Sequence, residues 1–370
     1  MRFVITGGGT AGHINPALAV AQELRLLGHE VHYAGTPQGL EARLVPQEGF
    51  PYVAFEAAGF NRRKPLTLIT SSAKIALSAA RARRWLAALK PDAVIGFGGY
   101  VSIPVGLAAS WLKIPLAVHE QNSASGMANR FLASRARLVA LTYESAAADF
   151  KTDGVLKVVG NPVRASLFEA KREVARQAFS LPKDATVLLA FGGSLGAHHL
   201  NEALVANAGQ LLSQEDLHIL HITGTRDFEE MEALCTRIPQ AAERWHLVAY
   251  CDRMGEAYAA ADVVLSRSGA TTVAEISALG LPALFVPYPH AAADEQTTNA
   301  RYLVDAGAAL LLADSELDSF RFIKQLTRLT SNASFREDMR RAAASLGNAQ
   351  ARQTLTHLLI EMAETKKMTP

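Results

Sequence analysis

The sequence predicts an α/β protein built from two tandem Rossmann-like domains, each a doubly wound parallel sheet, and three observations carry that prediction. Short apolar, β-branched runs alternate with Ala- and Leu-rich stretches of helical period, the pattern of βαβ units. The alternation comes in two series, one from Arg2 and one from Ala185. Each series opens alike, with a strand, a glycine loop and a helix, in RFVITGGGTAG and in ATVLLAFGGSLGA. A length of 370 residues suits two domains.

In the first series the expected strands are RFVIT, HEVHYAG, DAVIGFG, LAVHEQ, LVALT and LKVVG. In the second they are ATVLLAF, HILHITG, HLVAY, DVVLS, PALFVPY and ALLLA. The hinge is expected in GNPVRASLF, where Gly160 and Pro162 punctuate the chain. That gives domains at 1–161 and 162–344. The tail from about Phe335 to Ala363 reads as helix, and its last part, about 345–363, is expected to pack back onto the first domain.

Composition narrows the class. Apolar residues make up 49% and charged residues 19%, a globular balance. A net charge of +2 gives no sign of a nucleic-acid partner. The two cysteines, Cys235 and Cys251, are too few for a disulfide framework and point to a reducing compartment. No basic region followed by a long apolar stretch opens the chain, and no run of about 18 apolar residues occurs, so neither a signal peptide nor a membrane span is expected. A cytoplasmic location follows.

In the first loop Gly7, Gly8, Gly9, Thr10, Ala11 and Gly12 lead into a helix, with Pro16 suited to its first turn. Glycines admit close approach of a ligand, and a helix N-terminus favours a phosphate or a leaving group gaining negative charge. Gly7, Gly9 and Gly12 also fit the dinucleotide fingerprint, so NAD binding is an alternative. The second strand, however, ends in VHYAG with no acid for a ribose. A tight turn with no ligand is the ordinary reading of one such loop. Two at matching places suggest a cleft lined from both sides. His13, at the helix start, is a candidate general base if the helix dipole keeps it neutral, and otherwise a surface histidine.

In the second domain SRSGATTVAEIS ends a strand and starts a helix, a further anion site. Glu275 one turn in can accept hydrogen bonds from a ribose diol or simply cap the helix. Downstream, HAAADEQTTN offers Gln296 and Asn299, whose amides both donate and accept, as sugar hydroxyls require.

Taken in order, GGGTAGHINPALA, GFGGYVSIPVGLAA, HEQNSASGMANR, GNPVR, FGGSLGA and RSGATTVAEISALGLPALFVPYPHAAADEQTTNA resemble the MurG family of bacterial N-acetylglucosaminyltransferases, over Arg2 to about Leu359. The resemblance implies the GT-B architecture, two Rossmann-like domains facing a cleft. It implies inverting transfer of GlcNAc from UDP-GlcNAc to the C4 hydroxyl of MurNAc in undecaprenyl-pyrophosphoryl-MurNAc-pentapeptide, converting lipid I to lipid II. By the same resemblance His13 is the base, with Asn122 and Glu120 as catalytic neighbours. Thr10, Ala11, Gly12 and Asn122 would line the cleft near the sugar. Ser194 and Arg164 would contact the donor pyrophosphate and Cys251 would read uracil through its backbone. Ala270, Thr271, Thr272, Val273, Ala274 and Glu275 would hold phosphate and ribose, and Gln296 the GlcNAc hydroxyls. Three positions depart from the family pattern: Leu195 stands for a usual Gln, Cys251 for Ile and Ala11 for Gly. No D-x-D motif occurs, so no obligatory metal or other cofactor is expected.

A lipid acceptor requires a membrane surface. Residues 61–90 carry Arg62, Arg63, Lys64, Lys74, Arg81, Arg83, Arg84 and Lys90 and no acid, with Leu66, Leu68, Ile69, Leu77 and Trp85 between them. Such a patch attracts anionic lipid, which places the protein peripherally on the cytoplasmic face of the inner membrane. The alternative is a solvated basic helix with Ile75, Ala79 and Leu86 in the core. Nucleic acid is disfavoured because aromatic residues are sparse there. A soluble UDP-sugar transferase, a UDP-GlcNAc 2-epimerase and a Rossmann oxidoreductase are the competing functions.

Overall fold

A computed structural model describes residues 1–57, 66–193, 196–291, 294–346 and 348–368. The chain divides into two compact units, Met1–Arg164 with Gln350–Pro370, and Ala165–Ala349.

The first unit contains a seven-stranded parallel sheet in the order β3-β2-β1-β4-β5-β6-β7. Its strands are β1 (Arg2–Thr6), β2 (Glu30–Gly35), β3 (Tyr52–Ala54), β4 (Ala93–Gly96), β5 (Leu116–Glu120), β6 (Leu138–Leu141) and β7 (Val155–Val158). β4, β5 and β6 are buried at every residue. Such strands read as continuous apolar runs because helices cover both faces of the sheet. One face packs against α1 (Ala11–Leu26) and the C-terminal helix Ala351–Met368, through Leu18, Leu24, Leu355 and Leu359. α2 (Glu41–Gln47) follows β2. α3 (Leu66–Leu89), α4 (Ser102–Trp111) and α5 (Met127–Ala133) supply Leu86, Val105 and Leu132 to the other face.

The second unit holds a six-stranded parallel sheet, β10-β9-β8-β11-β12-β13. Its strands are β8 (Thr186–Phe191), β9 (Leu217–Ile222), β10 (Trp245–Val248), β11 (Val263–Ser266), β12 (Ala283–Phe285) and β13 (Ala309–Leu311).

Three local expectations fail. β3 escapes the sequence because three residues give no period to read. The helical tail is two helices, Ala333–Ala344 in the second unit and Ala351–Met368 in the first; the intervening SLGN is poor helix sequence. Pro16 lies inside α1, which begins at Ala11, and not in its first turn.

Candidate functional site

Strand order reverses between β1 and β4 in the first unit and between β8 and β11 in the second. A parallel sheet opens a crevice at such a point, beyond the carboxyl ends of the strands. Both glycine loops leave strands that border one.

In the first unit the loop after β1 meets the loop after β4. Gly98 and Gly99 hold φ of +100° and +76°, in the left-handed region that favours glycine. A Cβ on Gly99 would lie 2.5 Å from the Gly8 carbonyl oxygen, and one on Gly98 would lie 2.9 Å from His13 Cδ2 and 3.0 Å from its Nε2. The two loops therefore interlock backbone against backbone.

His13 stands in the first turn of α1 with Nδ1 3.0 Å from the Gly8 carbonyl and 3.3 Å from Thr10 Oγ1. A carbonyl only accepts, so Nδ1 carries the proton and Nε2 the lone pair. His13 lines a pocket of about 180 Å³ with Gly98, Tyr100, Glu120, Asn122, Met127 and Asn129. Burial lowers its pKa, against the raising effects of the Gly8 carbonyl and the Glu120 and Glu41 charges. Desolvation thus favours the neutral ring.

Glu120 ends β5 and is 1% exposed. Its Oε1 accepts from the Asn122 N–H at 3.1 Å, and its Oε2 from the Gly126 N–H and Asn129 Nδ2 at 2.9 Å each. Both oxygens are engaged in shaping the 121–126 loop that carries Asn122. Nearby His119 is fully buried, donates from Nε2 to the Gly160 carbonyl and accepts at Nδ1 from Gln121. Burial pushes its pKa down to about 4.

Glu41, absent from the sequence-based site, is fully buried at the start of α2. Its Oε2 accepts from the Gly9 N–H at 3.1 Å and its Oε1 from Thr36 N and Oγ1 at 2.9 and 2.7 Å. A Cβ on Gly8 would fall 2.2 Å from Glu41 Oε1. The anion place offered by the first loop is therefore taken by a carboxylate of the protein itself. A dinucleotide phosphate would meet that charge, which counts against the NAD alternative.

In the second unit helix Ala270–Leu279 begins at the carboxyl end of β11, with Gly269 as its N-cap and no side-chain cap. Gln296 Oε1 accepts from Ser268 N at 3.3 Å and Tyr288 N at 3.0 Å, so its carbonyl end fixes the loop and its NH2 end remains to donate. Glu275 is 8% exposed and accepts from the Tyr258 hydroxyl at 2.9 Å. Arg267 donates to the Val286 and Pro287 carbonyls and pairs with Asp314 at 2.5 Å. His199 Nδ1 lies 2.8 Å from Asp314 Oδ2, and this hydrogen bond raises the His199 pKa. The network links the β8 side of the crevice to the β11 side. Ser268 Oγ is buried without a partner among the described residues.

Of the sequence-predicted residues, Thr10, Ala11, Gly12, His13, Glu120 and Asn122 gather at the first crevice. Ala270 to Glu275 and Gln296 gather at the second. Arg164 belongs to the first unit, 3.9 Å from Glu48. Cys251 follows β10, two strands from β8, and burial raises its thiol pKa. Ser194 and Leu195 lie outside the described residues. Sequence reasoning missed Glu41, Tyr100, Asn129, Gly98 and Gly99; GFGGY was the one signal available for three of them.

On the proposed membrane face, Arg62, Arg63 and Lys64 and the side chains of Leu66, Leu68 and Ile69 lie outside the described set. Lys74, Leu77, Arg81, Arg83, Arg84 and Lys90 are exposed. Trp85 turns inward against Phe55, their ring centroids 5.5 Å apart, because its helical position faces the sheet. Ile75, Ala79 and Leu86 are buried.

Residues 3–141 match the glycosyltransferase family 28 N-terminal domain and residues 187–355 its C-terminal domain. A protein of Halothermothrix orenii, named UDP-N-acetylglucosamine–N-acetylmuramyl-(pentapeptide) pyrophosphoryl-undecaprenol N-acetylglucosamine transferase, is 40% identical over 98% of this chain and all of its own length. One of the same name from Bacillus licheniformis is 37% identical over 99% of this chain and all of its own. The crystal structure of Acinetobacter baumannii MurG superposes with a TM-score of 0.75 at 32% identity, covering 97% of this chain and 99% of that one. A UDP-GlcNAc 2-epimerase from Neisseria meningitidis, 18% identical over 98% of this chain and all of its own, shares the fold with a TM-score of 0.69. With both domain models matched and full-length relatives this similar, the chain belongs to glycosyltransferase family 28, in its MurG group of N-acetylglucosamine transferases.

Proposed function

We propose that this protein transfers N-acetylglucosamine from UDP-N-acetylglucosamine to the C4 hydroxyl of N-acetylmuramyl-(pentapeptide) pyrophosphoryl-undecaprenol, with inversion, forming lipid II from lipid I. The observation that carries the chemistry is the 3.0 Å contact of His13 Nδ1 with the Gly8 carbonyl: with Nδ1–H committed there, Nε2 is left as a neutral base. As the C4 oxygen bonds to C1 of the donor sugar, Nε2 takes its proton. The C1–O bond to the β-phosphate breaks, and the electron pair leaves with UDP. Asn122 and Glu120 order the loop beside the acceptor, with Thr10, Ala11 and Gly12 along its edge.

The donor fits the second unit. Phosphate and ribose lie against Ala270, Thr271, Thr272, Val273, Ala274 and Glu275, where the helix dipole offsets the charge that UDP gains. Glu275 takes the ribose hydroxyls and the Gln296 NH2 a GlcNAc hydroxyl. Ser194 and Arg164 contribute to the pyrophosphate, and the Cys251 backbone reads uracil. The lipid acceptor is met at the cytoplasmic face of the cell membrane, where the protein sits peripherally. No helix among the described residues is long and apolar enough to cross a membrane. Exposed Trp111, Met127 and Phe131 near basic α3 support that contact.

The test is transfer of radiolabelled GlcNAc from its UDP donor to a lipid I analogue. His13→Ala is expected to lower kcat about 10²–10⁴-fold with little change in donor KM. Glu275→Ala is expected to raise donor KM with a smaller effect on kcat. Wild-type kinetics in both variants would overturn the assignment, and turnover of UDP-GlcNAc without lipid acceptor would favour an epimerase.

A further inference from the structure

The Gly8–Gly9 peptide group joins two hydrogen bonds. Its carbonyl oxygen accepts the His13 Nδ1–H at 3.0 Å. Its N–H, on Gly9, donates to Glu41 Oε2 at 3.1 Å. Carboxylate, peptide and imidazole form one chain of donors and acceptors, Glu41 to Gly9 N–H, Gly8 C=O to His13. We propose that Glu41 is a positioning residue for the base, acting through this single peptide group as the carboxylate of a catalytic triad acts by direct contact. The inference rests on the reading of His13 as the base.

A carboxylate on a peptide N–H polarises that amide and makes its carbonyl a stronger acceptor, since hydrogen bonds in series reinforce one another. The gain is largest when His13 holds two protons, the state reached as the acceptor oxygen loses its own. Geometry enforces the coupling: Glu41 is fully buried and packed so closely that a Cβ on Gly8, Gly35 or Gly39 would come within 2.2–2.6 Å of its side-chain atoms. Thr36 holds the other oxygen from both N and Oγ1. The carboxylate cannot turn away, and the peptide cannot flip without breaking both bonds. Glu41 thereby also selects the Nδ1–H tautomer, which leaves Nε2 available for the proton.

The charged and titratable groups facing His13 are Glu41 from α2, Glu120 from the end of β5 and the Tyr100 hydroxyl lining its pocket. Tyr33 and Tyr52 flank Glu41, and burial raises both phenols above their ordinary value. In the working range the two carboxylates alone set the field on the imidazole, and each favours its protonated form.

The experiment compares the full-length wild type with Glu41→Gln, Glu41→Asp and His13→Ala in the GlcNAc transfer assay across pH. For a base that must be neutral, kcat/KM for the acceptor falls as pH drops through its pKa. Removing the Glu41 charge takes away a raising effect, so Glu41→Gln should move that acid limb to lower pH and lower plateau kcat about tenfold. Donor KM should stay at the wild-type value. Glu41→Asp keeps the charge and should keep the limb near its original position. An unshifted limb with wild-type kcat in Glu41→Gln overturns the proposal. An acid limb that survives in His13→Ala instead overturns the base assignment, so the two failures are distinct. Should Glu41→Gln not fold, ¹⁵N NMR of histidine-labelled wild type decides, with His13→Ala providing the assignment. Nδ1-protonated His13 at neutral pH supports the chain of bonds, and Nε2-protonated His13 overturns it.

Discussion

At Gly98 the backbone holds φ at +100°, and the place where a Cβ would project is filled by the His13 ring. An alanine there costs twice. The left-handed conformation strains an L side chain by about 1–3 kcal/mol, and the methyl group would push the imidazole off the Nε2 position that the proposed proton transfer needs. Misplacing a reacting group by about 1 Å can cost about 10²-fold in rate. Gly98→Ala should therefore lower kcat by about two orders of magnitude with little change in donor KM, since most of the residues proposed to hold the donor belong to the other unit. Gly28 is the control: it has φ of +80°, but no atom lies within 4 Å of its would-be Cβ. Gly28→Ala should lower the melting temperature and leave kcat alone. Equal losses of kcat in the two variants would show that backbone strain, and not contact with His13, governs the effect. The role of Gly98 was not legible beforehand. GFGGY announces a loop, but only tertiary packing says which side chain fills the space a glycine leaves.

Among the elements, the strands were the most legible, because parallel strands covered on both faces read as unbroken apolar runs such as AVIG and LAVHE. Helix faces were harder. Trp85 stood in a basic segment yet packs against Phe55. The apolar surface beside α3 comes from later elements, with Trp111 of α4 54% exposed and Met127 and Phe131 of α5 each 44% exposed. These residues border a depression of about 470 Å³ that also includes Ile75, Ala79 and Tyr100. No local pattern could assemble residues from three helices into one surface. Exposed Lys74, Arg81, Arg83 and Arg84 on α3 would supply the charge for the proposed contact with anionic lipid. Sedimentation with vesicles containing phosphatidylglycerol should pull down the wild type at low salt. Trp111→Ser with Phe131→Ser should weaken that binding about 10²-fold or more, given about 1.5–3 kcal/mol for each large apolar side chain buried. Transfer to a short-chain, water-soluble acceptor should be preserved. Undiminished vesicle binding by the double variant would rule this face out.

Over the whole molecule, chain order and packing order part company. Helix Ala351–Met368 follows the second unit in sequence but buries Leu355, Leu359 and Ala363 in the core of the first. Arg352 on that helix pairs with Glu23 of α1 at 3.0 Å, with both side chains largely sheltered. The return agrees with the expectation for the C-terminal segment, although the amphipathic pattern of the helix does not by itself say which surface it covers. Each unit has its own core: Leu326 and Phe322 belong to the second and Leu359 to the first. Removing buried leucine methyl groups typically costs about 2–5 kcal/mol, depending on how far the surroundings collapse. Two cores of this kind should give the full chain two denaturant transitions, since multidomain chains depart from two-state behaviour. Leu359→Ala should then move one midpoint and Leu326→Ala the other. Circular dichroism follows both units, while binding of a fluorescent UDP-GlcNAc analogue should chiefly follow the second, where most of the proposed donor residues lie, so Leu359→Ala should leave the loss of binding near its wild-type denaturant concentration. If instead either variant shifts one shared transition by the same amount, the C-terminal helix has tied the two cores into a single cooperative unit.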